Sequence, residues 1–172
     1  MNDTEHADFT AYFVARRDTV RRTAYLLCGD WHWADDLAQE AFVRLASTWS
    51  RVREPAALDA YVRTCLVRVY LAENKRLWRR RERSTGLPDV GHGEHAERLD
   101  LRQAFLIALR TLPPRQRATL VYRYYQGLDV EQTADALGCS TGTVKTQTSR
   151  GLAALRRVLG DQFDPALNGV TS

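Results

Sequence analysis

The sequence predicts an all-α chain of two small helical domains joined by a flexible linker, on three observations. Apolar residues recur at helical spacing in both halves, and no alternating run is long enough to read as a strand. The one stretch with linker chemistry, STGLPDVGHGEHAE over 84–97, holds three glycines and a proline and almost no large apolar side chain. A length of 172 residues suits one ordinary domain or two small ones, and modules that small bury little core and lean on partners. Helical domains are therefore placed at 1–83 and 99–160, a linker at 84–98 and a tail at 161–172.

In the first domain Phe9, Phe13, Val20, Tyr25, Leu26 and Leu27 trace one long helix, broken at Gly29-Asp30. The Trp31-His32-Trp33 run reads as packing where the next helix begins, and that helix is expected over 33–48. At 100° per residue Leu37, Ala38, Ala41, Phe42 and Leu45 share one side of it, and Asp36, Gln39 and Glu40 the other. A loop through residues 49–55 leads to a long helix over 57–83. Leu58, Val62, Cys65, Leu66 and Val69 make its buried stripe. Tyr61, Thr64, Arg68, Leu71 and Lys75 form a separate, exposed line, and Lys75-Arg76-Leu77-Trp78-Arg79-Arg80-Arg81 closes the helix with cations. Aromatic groups interleaved with cations can stack on bases while holding phosphates.

The second domain opens with a helix over 99–111, stopped by Leu112-Pro113-Pro114, and continues with one over 115–126, stopped by Gly127. A helix-turn-helix pattern follows. Small Ala134 lets two helices approach, Gly138 supplies the turn, Ser140 suits an N-cap and Val144 locks a last helix reaching about residue 159. In that helix Val144, Thr148, Leu152 and Leu155 point inward. Gly142, Thr143, Lys145, Thr146, Ser149 and Arg150 cover the outward arc of the first two turns, where donors and a small residue suit major-groove reading. The N–H groups at its start can also hold a phosphate, which Gly142 allows to come close.

Charge is distributed unevenly. The net +4 divides into blocks of −3 (1–60), +6 (61–83), −3 (84–100) and +4 (101–172), so two basic blocks each follow an acidic one. That pattern suggests a polyanion contacted twice. No apolar run approaches the roughly 20 residues that span a bilayer, and the acidic N-terminus is not a signal peptide. Cys28, Cys65 and Cys139 are odd in number and widely spaced, which points to a reduced, cytoplasmic setting without membrane insertion.

Two segments then resemble a known family. Asp36-Leu37-Ala38-Gln39-Glu40-Ala41-Phe42 resembles the D-L-x-Q-E-x-F signature of bacterial RNA polymerase sigma factors. Arg115-Gln116-Arg117 through Tyr124-Tyr125, followed by Ala134 to Lys145, resembles their C-terminal DNA-binding domain. Two domains on a short linker make the chain similar to an extracytoplasmic-function (ECF, sigma-70 group IV) sigma factor. The run Val144-Lys145-Thr146-Gln147-Thr148-Ser149-Arg150-Gly151-Leu152 is similar to the SigE-type branch common in actinobacteria.

The resemblance implies sigma region 2 in the first domain, for polymerase binding and for recognising and melting the −10 element, and sigma region 4 in the second, for the −35 element. Asp36, Gln39 and Glu40 match the residues that grip the β′ clamp of core RNA polymerase. Val52 and Arg53 match the loop that captures a flipped −10 base. Tyr61, Thr64 and Arg68 match the −10-reading helix, on which Lys75 continues the same line. Lys145, Thr146, Ser149 and Arg150 match positions facing −35, beside Gly142 and Thr143, while Arg117 and Arg123 would sit near phosphates. Core polymerase (β′ clamp and β flap) and promoter DNA are the implied partners, an anti-sigma factor is left open, and no cofactor, metal or enzymatic activity is expected. Many members carry Asn where Arg68 stands, so Arg68 can read guanine, contact phosphate or be solvated. Many also carry a large aliphatic residue in place of Thr148.

Two competitors are weaker. A stand-alone helix-turn-helix regulator has no use for the Asp36/Gln39/Glu40 face. A metalloenzyme would need more ligands than the linker pair His92 and His95, and no nucleophile motif or phosphate-binding loop is present.

Overall fold

In a computed structural model the chain is described over residues 1–52, 54–83 and 101–160, all helices and turns. The linker 84–98, the tail 161–172, Arg53, His92 and His95 lie outside the described residues. Helix α1 (Asp3–Cys28) starts ahead of the apolar periodicity because of its cap. The Glu5 N–H donates to Asn2 Oδ1 at 2.8 Å and the Asn2 N–H donates back to Glu5 Oε2 at 2.9 Å, a reciprocal capping box. Gly29, at φ +74°, ends α1 in the left-handed region that an L side chain rarely adopts.

Asp30 caps α2 (Trp31–Thr48), accepting the Trp33 N–H, so this helix also begins two residues earlier than its apolar pattern. Trp31 lies flat on Tyr25, with centroids 3.9 Å apart, and carries the Arg21 guanidinium on its ring. A short 3₁₀ turn (Trp49–Arg51) leads into α3 (Pro55–Arg83). Phe9 meets Trp49 edge-on at 5.2 Å, and Phe13 meets Phe42 at 4.9 Å, closing α1 against α2. Asp59 of α3 accepts from the Tyr12 hydroxyl and, bidentately, from Arg16, which fixes α1 against α3.

In the second half α4 (Leu101–Thr111) precedes α5 (Pro114–Leu120). The expected continuous helix to residue 126 does not persist. Val121–Tyr125 form a wide π-helical turn in which the Gln126 N–H reaches the Val121 carbonyl, and Gly127 then takes φ +66°. Asp129 and Gln132 form a second capping box at the start of α6 (Val130–Leu137), Gly138 caps it at φ +67°, and Ser140 caps α7 (Thr141–Leu159).

One hydrophobic cluster runs through both halves, taking in Leu37, Leu66 and Tyr70 from the first and Leu109, Leu120, Tyr122 and Leu155 from the second. The two predicted modules therefore share a core, with α5, α6 and the π turn packed on α1 and α3.

Candidate polymerase and nucleic-acid interfaces

Helix α2 divides as its phase predicts. Leu37, Ala38, Ala41, Phe42 and Leu45 are buried, while Asp36 and Gln39 are exposed and Glu40 is half-exposed. Glu40 accepts from Arg44 Nε at 2.8 Å, an i,i+4 pair on the solvent side. Asp36 and Gln39 have no hydrogen-bond or ion-pair partner among the described residues, so their polar groups are free to meet a docking surface. Beside them α1 and α2 leave an apolar groove of about 720 Å³ floored by Phe9, Phe13, Phe42 and Val43.

Helix α3 buries Leu58, Val62, Cys65, Leu66 and Val69 as expected. Its second line is less open than predicted: Arg68 and Lys75 are exposed, but Tyr61, Thr64 and Leu71 are half-buried, and Tyr61 and Leu71 pack against the core. Helix α6 lies along α3 here, and the Arg68 guanidinium donates to the Asp135 carbonyl at 3.4 Å, beside Gly138. The cationic end from Lys75 to Arg81 is exposed throughout, Trp78 included.

On α7, Val144 and Leu155 are buried and Thr148 and Leu152 half-buried, which turns Gly142, Lys145, Thr146, Ser149 and Arg150 outward to solvent. Thr143 is partly withdrawn, because its N–H donates to Ser140 Oγ at 3.1 Å and its hydroxyl bonds the same atom at 3.0 Å. Thr148 occupies its inward position by donating to the Val144 carbonyl at 2.7 Å.

Three predicted DNA contacts are placed differently. Arg117 points inward: it donates to the Leu27 carbonyl at the end of α1 and to the Arg110 and Leu112 carbonyls at the end of α4. A cation suits those carbonyls because helix C-termini carry partial negative charge, although burial lowers the Arg117 pKa. Arg123 donates to the Leu128 carbonyl and so ties the π turn to the next loop. The Val52 side chain packs against the core instead of standing free in its loop.

Sequence reasoning missed the residues that join the halves. Arg110 donates to the Gly29 carbonyl at 2.6 Å and to the Tyr25 hydroxyl at 3.1 Å, Tyr122 to the Arg63 carbonyl at 2.6 Å, and Gln126 to Thr23 Oγ1 at 2.6 Å. Helical periodicity carries no signal for such long-range pairs. A Cβ on Gly29 would fall 2.5 Å from Arg110 Nε, so this glycine both permits the turn and admits the arginine.

Comparison with known proteins places this geometry. Residues 6–84 match the family described as Sigma-70 region 2, and residues 102–155 match Sigma-70, region 4. The chain belongs to the sigma-70 family. Among curated relatives it is 35% identical over 163 residues to the RNA polymerase sigma-E factor of Streptomyces avermitilis, covering 92% of this chain and 89% of the relative. It is 33% identical to the sigma-E factor of Streptomyces coelicolor, with 90% of this chain and 88% of that one covered. It is 31% identical to the ECF sigma factor SigE of Mycolicibacterium smegmatis, over 83% of this chain and 58% of that one. In fold it is similar to the sigma factor RpoE of Bartonella quintana, solved with the anti-sigma factor NepR, at a TM-score of 0.73 and 24% identity over 91% of this chain and 99% of that one. The α2 face thus lies in sigma-70 region 2 and the α6–α7 pair in region 4, within the ECF branch of the family.

Proposed function

We propose that this chain docks on core RNA polymerase through Asp36, Gln39 and Glu40 and directs promoter-specific initiation, α7 reading the −35 element and α3 the −10 element. The observation that carries the reading is the pairing, in one chain, of a solvent-facing polar face on α2 with an outward donor arc on α7. The first supplies a protein partner and the second a DNA groove.

On α7, Lys145, Thr146, Ser149 and Arg150 would meet base edges and phosphates, with Gly142 letting a phosphate approach the helix start. On α3, Tyr61, Thr64, Arg68 and Lys75 would hold unpaired −10 bases, with Val52 and Arg53 as the adjoining loop. Melting needs help. Unstacking costs a few kcal/mol per step, and stacking on an aromatic ring returns roughly 1–3 kcal/mol per base. Polymerase contacts, including region 4 against the β flap, and salt-dependent phosphate attraction supply the rest. The setting that follows is cytoplasmic, in keeping with the absence of a bilayer-spanning helix among the described residues. An anti-sigma factor, the kind of partner carried by the similar RpoE, belongs among the partners proposed.

Run-off transcription with core polymerase over a genomic promoter library tests this reading and is expected to give promoter-specific transcripts. A Glu40→Arg variant, altering a side chain bonded to Arg44 alone among the described residues, is expected to weaken core binding by about tenfold or more, the equivalent of about 1.4 kcal/mol. Absence of specific initiation by the wild type would reject the reading.

A further inference from the structure

A pocket of about 170 Å³ opens where α1, α3 and Gln126 meet, and none of its lining residues belongs to the α2 face, the α3 stripe or the α7 arc. We propose that it is a binding site for a small monocarboxylate, held by the Arg63 guanidinium and the Gln126 amide over a floor of Val20, Val62 and Leu66.

The charge balance of the pocket calls for one anion. Asp59 and Arg16 neutralise each other, with Arg16 Nε and Nη2 at 2.9 and 3.0 Å from the two carboxylate oxygens, and the Tyr12 hydroxyl is committed to the same carboxylate at 2.7 Å. That leaves Arg63. It is half-buried, and its guanidinium makes no hydrogen bond or ion pair among the described residues. Its charge partly offsets the rise in the Tyr12 and Tyr122 pKa values, which sets it close to both hydroxyls. A guanidinium has five N–H donors and no acceptor, in a planar fork that fits a carboxylate.

Gln126 adds a second donor from a different element. Thr23 Oγ1 donates to the Thr19 carbonyl at 2.9 Å, so it must accept from Gln126 Nε2, which lies 2.6 Å away. That chain fixes the orientation of the amide beside the pocket. Its remaining N–H makes no hydrogen bond among the described residues and is available to the anion.

Size and lining narrow the class further. An apolar cavity of about 150 Å³ is enough for benzene, whereas pockets for drug-sized ligands run to roughly 300–1,000 Å³. A nucleotide is therefore too large, and an acid of about six non-hydrogen atoms fits. Val62 and Leu66 are buried core residues and Val20 is half-buried, so the floor suits a short branched hydrocarbon chain. Inorganic phosphate has no apolar part to cover that floor, which favours the carboxylate.

Thermal unfolding and heteronuclear NMR of the full chain, at constant ionic strength, test the site with isobutyrate, its neutral analogue isobutyramide, and inorganic phosphate. Isobutyrate is expected to bind with a Kd of about 1 mM, a value in keeping with so few atoms. At about ten times that Kd it should raise the melting temperature by about 3–5 °C and shift the amide resonances of Val20, Arg63 and Gln126. Isobutyramide should bind about tenfold more weakly or worse. Arg63→Gln is expected to lower isobutyrate affinity by about tenfold or more, and Arg63→Lys, which keeps the charge but loses the fork, to recover part of it. Should Arg63→Gln fail to fold, Val20→Phe, which fills the pocket from α1, is expected to abolish the response. Equal binding of acid and amide, a preference for phosphate, an isobutyrate response unchanged by these variants, or no response at all up to about 50 mM overturns the proposal. None of these readouts involves polymerase or DNA, so they stand or fall apart from the sigma-factor function.

Discussion

A Cβ placed on Gly142 would meet only Ser140 Oγ, at 3.8 Å, an ordinary contact, and the residue lies in the first turn of α7 facing solvent. Folding therefore does not require glycine here, and an alanine would favour the helix by up to about 1 kcal/mol. If a phosphate seats on the backbone, Gly142→Ala should leave the melting temperature unchanged or raised while lowering holoenzyme affinity for a −35 duplex, read by fluorescence anisotropy. Equal affinity would remove Gly142 from the DNA surface. Asp59 is the contrasting case, a residue that serves folding. It takes the Tyr12 hydroxyl and the Arg16 fork, and burial together with the Asp59 bond pushes the Tyr12 pKa well above its ordinary value. Asp59→Ala should cost about 1–2 kcal/mol in a urea titration, since a half-buried hydroxyl loses its acceptor while the ion pair, only partly withdrawn from solvent, adds little. Neither role was legible as such. The sequence marked Gly142 as small and outward, but the 47 positions separating Tyr12 from Asp59 leave no periodic trace.

Helices were the most legible level. The apolar stripes of α2 and α3 are buried as predicted, because amphipathic phase is a local property fixed by 3.6 residues per turn. Helix starts were misplaced where capping governs them: Asn2 with Glu5 starts α1 ahead of its first apolar residue, and Asp30 starts α2 at Trp31, two residues before the expected position. The π turn at Val121–Tyr125 was invisible because its sequence continues the helical pattern into Gly127. The α5–α7 contact shows what helices require of one another. Gly151 is buried, and a Cβ there would fall 2.9 Å from Leu120 Cδ1. Gly151→Val should therefore destabilise the protein by about 1–3 kcal/mol through overpacking, seen as a lower urea midpoint. Ser140→Ala should cost about 1 kcal/mol, because it uncaps the Thr143 N–H at the start of the same helix.

For the molecule as a whole, the shared core sets a pH dependence. Burial raises the pKa values of Tyr12, Tyr70 and Tyr122 and of all three thiols, Cys28, Cys65 and Cys139. In each case the neutral form is favoured by the fold. Stability from these groups is complete below their unfolded values, about 8.5 for thiols and about 10 for tyrosines, and is lost as pH rises toward the folded ones. The urea midpoint should hold steady from about pH 6 to 8 and fall steeply between about pH 9 and 11. A midpoint flat to pH 11 would mean that these groups are exposed in solution. Tyr70 and Tyr122 are fully buried where the two halves meet in one core, so the same titration is sensitive to their parting.

The sequence by itself determined the helices, their buried faces, the polar α2 face, the α7 arc and the family, because each is carried by residues within a few turns of one another. Only the tertiary structure decided that the halves share one core, that Arg117 and Arg123 tie carbonyls inside the protein, and that the α3 stripe lies against α6. Those outcomes depend on donors and acceptors as far apart as Gln126 and Thr23. A side chain's charge and spacing declare that it can bind a phosphate or a carbonyl, and the fold determines which of the two lies within reach.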